Sequence, residues 1–289
     1  MNIDRNKKKK VAVVTGSSSG IGLETSLLLA RNGFYTYATM RNLEKSKAIC
    51  NLKQKEKLSL KILQLDVNDD ESVKEAIQNI INEQERIDVL VNNAGYALVG
   101  AFEELSIEEF KEQYETNVFG VIRVTQAVLP IMRSQRCGTI VNISSIAGKI
   151  GFPLTSAYVS SKFALEGLSE SMAYEIEQFG IKIILIEPGV IKTNFDNNLK
   201  IGKRVTIDHN SSYREMTQKR ISGFKPRFES GSPPIEVAKV ILKAITSENP
   251  SELRYLVGND AFKLMQIRNN ISDKDFRKLV IKSVLPDIN

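Results

Sequence analysis

The stretch "VAVVTGSSSGIG", residues 11–22, decides the fold. Four apolar residues in succession make a short strand of the kind buried on both faces. Three glycines, Gly16, Gly20 and Gly22, then open a helix. Glycines let a backbone turn sharply and approach a pyrophosphate closely, while the amide N–H groups of a helix N-terminus aim at its negative charge. The spacing is G-x-x-x-G-x-G rather than the G-x-G-x-x-G of the standard dinucleotide motif. The strand, turn and helix context still reads as a dinucleotide cradle, with Gly16, Ser18, Ser19, Gly20, Ile21 and Gly22 as its candidate contacts.

The next strand sharpens this reading. Dinucleotide sites commonly carry an acidic residue at the end of the second strand, on the ribose 2′-hydroxyl, whereas an arginine there accommodates a 2′-phosphate. This chain reads "YATMRN", with no carboxylate before Glu44. Arg41, with Ser18 as a second contact, therefore predicts NADP(H) over NAD(H).

Outward from this turn, short apolar runs alternate with amphipathic stretches, the pattern of βαβ units on a parallel sheet. Strands are expected at 11–15, 34–40, 58–67, 87–95, 138–144, 181–189 and 253–258. Helical patterns lie near 20–33, 43–56, 69–85, 106–135, 156–180 and 234–247. The expected fold is α/β, one doubly wound seven-stranded parallel sheet with helices on both faces, and residues 1–289 read as a single domain with its core at about 10–258. Two regions break the alternation. Residues 190–233 form a long polar insert, the kind of connection that is usually functional or mobile. Residues 259–289 suggest one or two further helices packed at the edge.

A second short stretch carries chemistry. In "AYVSSKFALEG" Tyr158 and Lys162 stand four positions apart, on one face of a helix. A phenol is a weak proton donor or acceptor at neutral pH, and a nearby cation favours the phenolate. The pair is thus a candidate for general acid and base work.

Composition narrows the classes. The 289 residues are 42% hydrophobic and 26% charged, as in an ordinary soluble protein, and no apolar run approaches a membrane span. The start, "MNIDRNKKKK", leads into a strand rather than an apolar signal region, so a cytoplasmic location is expected. Two cysteines, Cys50 and Cys137, lack metal or redox spacing, and a single histidine, His209, argues against histidine-based catalysis or a histidine metal site. The net charge of +6 is not gathered on one predicted helix, and no nucleic-acid motif accompanies it.

Taken together, "TGSSSGIG", "LDV" (65–67), "NNAG" (92–95), Asn117 in "ETNVFG", "NISSIAG" (142–148), "YVSSK" (158–162), and "EPG" (187–189) followed by Thr193 resemble the short-chain dehydrogenase/reductase family in its single-domain, Rossmann-type form. The resemblance covers roughly residues 10–258. It implies hydride transfer between a nicotinamide and a carbonyl or alcohol. Tyr158 would exchange the proton, Lys162 would lower the Tyr158 pKa and bind the nicotinamide ribose, and Ser145 would hold the substrate oxygen, with Ser144 as the alternative. Asn117 would anchor a water leading from Lys162 to solvent. Asp66 and Val67 would meet the adenine. The NNAG turn, through Asn92 or Asn93, Ala94 and Gly95, would pass the adenine ribose. Pro188, Gly189 and Val190 would face the carboxamide, and Thr193 that amide or the pyrophosphate. Homodimers or homotetramers built on the long helices are also implied.

The substrate is less determined. Tyr96, Leu98, Phe152, Leu154 and Phe195 are candidates for an apolar wall. "YATMRNLEK" and "SSKFALEGLSESMAYEI" resemble the branch with hydroxysteroid and retinol dehydrogenases, pointing to a medium or large apolar ketone or aldehyde. The insert 194–230 carries eight basic residues against four acidic ones, which suits a 3-oxoacyl carrier or coenzyme A thioester instead. A non-catalytic NADP(H)-binding redox sensor is the alternative of another class.

Overall fold

Strand β1 (Val11–Val14) is buried along its whole length, with Val11 and Val13 facing one helical layer and Ala12 and Val14 the other. That two-sided burial is why its sequence is continuously apolar rather than alternating. The structure, a computed structural model, describes residues 8–193, 199–208, 210–247 and 252–284. The chain runs on through α1 (Gly20–Arg31), β2 (Tyr35–Met40), α2 (Lys47–Glu56), β3 (Leu60–Gln64), α3 (Asp70–Gln84) and β4 (Val89–Asn92). It continues with β5 (Ala97–Val99), α4 (Ile107–Tyr114), α5 (Gly120–Gln135), β6 (Gly138–Ile143), α6 (Ser156–Ile176) and β7 (Ile181–Pro188). Last come β8 (Leu199–Ile201), α7 (Lys203–Ile207), α8 (Arg214–Glu229), α9 (Pro234–Thr246), β9 (Arg254–Val257), α10 (Asn259–Asn270) and α11 (Asp273–Val284).

Seven strands form one parallel sheet in the order β3-β2-β1-β4-β6-β7-β9. Val73, Ile77 and Ile80 of α3 and Val124, Val128 and Met132 of α5 cover one face; Leu29 of α1 with Val237 and Ile241 of α9 cover the other. This is the doubly wound Rossmann-type arrangement. The chain leaves β1 towards β2 and β3, then returns to β4 on the far side, so the carboxyl ends of β1 and β4 border a crevice where such sheets bind ligands. No helix among the described residues is long and apolar enough to cross a membrane.

The structure adds three features that the periodicity did not reveal. The pattern over 106–135 is not one helix: Glu115–Phe119 form a π turn between α4 and α5, placing Asn117 there. Within the polar insert expected at 190–233, the described residues include helices α7 and α8. β8 pairs in parallel with β5, Leu98 opposite Lys200, as a separate two-stranded sheet. At the insert's other boundary Ile191 bridges Ser232, with Lys192 N donating to Ser232 O and Ser232 N to Val190 O. The C-terminal helices α10 and α11 pack at one edge, where Phe276 and Val280 meet Ile150, Phe152 and Met216.

Candidate active site

A cleft of about 780 Å³ opens along the carboxyl ends of the strands. At its floor, Gly16 and Gly20 have φ of +68° and +57°, a left-handed conformation that a side chain disfavours. A Cβ on Gly16 would stand 2.9 Å from Ala94 Cα, and one on Gly22 would run into Gly16 O and the Asn93 amide. Asn93 itself locks the turn, its Nδ2 donating to Thr15 O at 2.8 Å and Gly16 O at 3.1 Å. Ser19, the residue before α1, makes no side-chain cap bond, so the first amides of α1 remain for an anion. Ser18, Ser19, Gly20 and Ile21 line the cleft, and Thr193 closes over Gly20. Gly22 lies behind them and acts through close packing. These residues fit a pyrophosphate.

At one end of the cleft stand Arg41, Asn42, Lys45, Asp66 and Val67. Arg41 is largely exposed, its Nε 4.0 Å from Asp66 Oδ2. Asp66 uses Oδ1 to accept from Asn68 N, while Asp69 caps α3. Lys45 was missed from sequence; the 3-10 turn Leu43–Ser46 carries it back beside Arg41. Arg41 and Lys45 thus both line this end of the cleft.

The NNAG reading requires a correction at Asn92. Its side chain is buried in the sheet, Nδ2 donating to Thr125 Oγ1 at 3.0 Å and Asn142 Oδ1 at 2.9 Å. The alternation of β4 turns residue 92 towards α5, and Asn93, Ala94 and Gly95 line the cleft instead.

Further along, Ser145, Tyr158 and Lys162 converge. Ser145 Oγ accepts from Ala147 N at 3.1 Å and donates to Pro188 O at 3.4 Å. It also hydrogen-bonds Tyr158. Ser144 Oγ is buried without a hydrogen-bond partner, near the spot where a Cβ on Gly148 would point. Lys162, one turn after Tyr158 on α6, places Nζ 5.8 Å from the phenol ring centroid and donates to Ile143 O at 2.7 Å. Burial pushes the Tyr158 phenol above its ordinary value, with the Ser145 bond pulling the other way. Burial also pushes Lys162 from 10.5 down to about 8, opposed by the Glu166 carboxylate. The expected lowering of the Tyr158 pKa by Lys162 is thus not what this geometry gives: desolvation prevails, and the ammonium is turned to a backbone carbonyl.

Asn117 is fixed by the π turn. It donates Nδ2 to Tyr96 O at 3.0 Å and Ser161 Oγ at 3.2 Å, and accepts from Tyr96 N at 3.2 Å. Its side chain thereby holds the Tyr96 backbone beside the cleft. Behind Lys162 lies a group that the sequence did not flag. Arg254 of β9 reaches Glu166 Oε2 at 2.9 Å, Glu170 Oε2 at 2.6 Å and Glu187 Oε1 at 3.5 Å. Burial first, then the Glu166 carboxylate, pushes Glu187 up from 4.5 to about 7; Lys149 and Arg254 oppose this.

The far wall is built by Tyr96, Phe152, Thr155 and Leu199, with Arg220, Phe224, Arg227 and Phe228 of α8. Leu98 and Leu154 do not line it. Leu98 packs on Leu105 and Ala157, and Leu154 on Val99 and Phe224, so both support the wall from behind. Pro188, Gly189 and Val190 line the cleft, Val190 N donating to Asp260 Oδ2 at 2.8 Å. Phe195 lies outside the described residues.

Comparison with known proteins agrees with this arrangement. A family model described as short chain dehydrogenase matches residues 10–203. An uncharacterized oxidoreductase of Bacillus subtilis, YusZ, is 42% identical over 253 residues, covering 86% of this chain and 89% of its own length. The 3-ketodihydrosphingosine reductase of Bacteroides thetaiotaomicron is 37% identical over 242 residues, 83% of this chain and 85% of that one. Among solved structures, ElxO with NADP bound superimposes with a TM-score of 0.72 at 32% identity, over 88% of this chain and 99% of that one. A family match over more than half of the 289 residues, with relatives aligned along most of their length, means that the chain belongs to the short chain dehydrogenase family.

Proposed function

We propose that this oxidoreductase uses NADP(H) to interconvert a medium or large apolar ketone or aldehyde with its alcohol. The observation that carries the reading is one cleft with Arg41 and Lys45 at one end and Ser145, Tyr158 and Lys162 converging farther along. When bound, the nicotinamide supplies or accepts the hydride. In reduction the Tyr158 hydroxyl donates its proton to the substrate oxygen, which the Ser145 hydroxyl holds. Burial disfavours the phenolate, so the phenol holds the proton that an acid in that direction must supply. Lys162 supplies positive charge beside the phenol, and Asn117 keeps the Tyr96 backbone in place.

The ligand named for the ElxO structure and the bulky ketone named for the Bacteroides enzyme support the cofactor and the substrate size. Exposed Phe119 at the start of α5, with Phe163 and Tyr174 on α6, supports self-association through these helices. The test follows NADPH absorbance with steroid ketones, retinal, small aldehydes and acetoacetyl-CoA, for the parent and Tyr158→Phe, repeated with NADH. Turnover of a bulky ketone, lost in Tyr158→Phe and poorer with NADH, is expected. Tight NADPH binding without turnover across the panel would instead favour the redox sensor.

A further inference from the structure

Helix α8 presents an inward stripe of Tyr213, Thr217, Arg220, Phe224 and Phe228, spaced three or four residues apart as on the buried side of an amphipathic helix. The arginine is out of keeping with that stripe. Arg220 is 8% exposed, yet no carboxylate pairs with it among the described residues, and its Nε is buried without a hydrogen-bond partner. The guanidinium carbon stands 4.5 Å from the centroid of Phe224, and the side chain lines the cleft beside Phe228. Burying a charge without a counter-charge costs several kcal/mol, so such groups are ordinarily paired or absent. Desolvation, and after it the neighbouring Arg227, lower its pKa from 12.5 to about 10.

We propose that Arg220 is the docking point for a carboxylate on the substrate, so that this enzyme acts on oxo or hydroxy acids in which an apolar segment separates the reacting carbon from the acid. This rests on the catalytic reading above and supplies the substrate class. A planar carboxylate matches the fork of a guanidinium. Phe224, Phe228 and Phe152 supply the apolar passage between the anion and the reacting centre. The surrounding charges favour a compact anion inside rather than a phosphate outside. Arg227 and Lys200, the other cations of this wall, are both exposed, and Lys200 is already engaged with Glu112 at 3.2 Å and with the Tyr96 ring. A coenzyme A or carrier thioester would place its phosphates on those exposed cations and leave the buried Arg220 unpaired.

The experiment has a binding arm and a turnover arm. Calorimetry with the NADPH-loaded protein measures decanoate, decanol and decanoyl-CoA against the parent, Arg220→Met, Arg220→Lys and Arg227→Ala. Decanoate is expected to bind about 30-fold more weakly to Arg220→Met, with Arg220→Lys intermediate and Arg227→Ala near the parent. Decanol is expected to bind Arg220→Met as well as the parent, which excludes general damage to the cleft. In turnover, a 9-oxo fatty acid is expected to show a lower KM than its methyl ester in the parent, and Arg220→Met to abolish that difference. Equal binding of decanoate to parent and Arg220→Met overturns the proposal, as does decanoyl-CoA binding that depends on Arg227 while decanoate does not bind. Turnover of acid and ester with equal KM also overturns it while leaving the catalytic reading intact. Absence of all turnover, with Arg220-dependent decanoate binding, rejects the catalytic reading and retains the anion site.

Discussion

Replacing Glu187 by glutamine tests the proton held behind the catalytic helix. Glu187 and Glu166 are 3% and 5% exposed and share one arginine, Arg254, whose charge is also claimed by Glu170. Desolvation and the neighbouring carboxylate raise Glu187 from 4.5 to about 7, and Oε1 of each carboxyl is buried without a hydrogen-bond partner among the described residues, so a proton retained on Glu187 is expected to be shared with Glu166. An acid raised in the folded state stabilises the fold below its unfolded pKa and loses that contribution as pH climbs to its folded pKa. At about 1.4 kcal/mol for each pH unit, some 3 kcal/mol is lost between pH 4.5 and 7. Glutamine keeps the shape of the protonated acid and donates an N–H towards Glu166, so it should be insensitive to this change. Urea unfolding is expected to give Glu187→Gln and parent similar stability at pH 5, with Glu187→Gln more stable by about 2–3 kcal/mol at pH 8. Curves that stay parallel from pH 5 to 8, or a less stable Glu187→Gln at pH 8, would refute the shared proton.

Arg41→Ala removes a cation from the 2′-phosphate position and should weaken NADPH about tenfold or more while sparing NADH; equal losses in fluorescence titrations would reject the assignment. Gly16→Ala places a Cβ 2.9 Å from Ala94 Cα at a φ of +68°, and should lower stability by at least about 1–2 kcal/mol and weaken both cofactors. Unchanged binding would mean that the turn does not touch the pyrophosphate. Asn117→Ala frees the Tyr96 amide and leaves the Tyr96 carbonyl with Gln113 Nε2 alone, and a loss of about 1–3 kcal/mol is expected in urea unfolding; an unmoved midpoint would show that these bonds contribute nothing net.

The sheet was legible because each of its strands is a short apolar run and each intervening helix keeps its period. Tyr158 and Lys162 were legible because one helical turn fixes their proximity whatever surrounds them. Asn92 was misread although the parity of β4 points it into the sheet, where Leu90 also faces α5. Lys45 escaped notice because a 3-10 turn, which leaves no periodic trace, folds it back to the cleft. β5 and β8 are three residues each, too short for alternation to register. Helix α8 was hidden by its own composition, since Pro226 and an inward arginine both disguise the apolar stripe. Leu154 takes φ of +62° and turns away from the cleft, a conformation that local sequence does not announce.

The two fastenings of the insert have a consequence for how this enzyme can change. Between the β5–β8 pairing and the Ile191–Ser232 bridge, the chain forms a cassette attached at both ends to the frame by main-chain bonds. Main-chain bonds are indifferent to side-chain identity, so exchanges within residues 202–231 that keep the packing of Met216 and Phe224 leave these fastenings intact, and Ser145, Tyr158 and Lys162 stand on other elements. Under the function proposed above, selectivity and proton chemistry lie on separate elements. Grafting the corresponding segment of a relative between these fastenings should carry its substrate preference across without rebuilding the catalytic end.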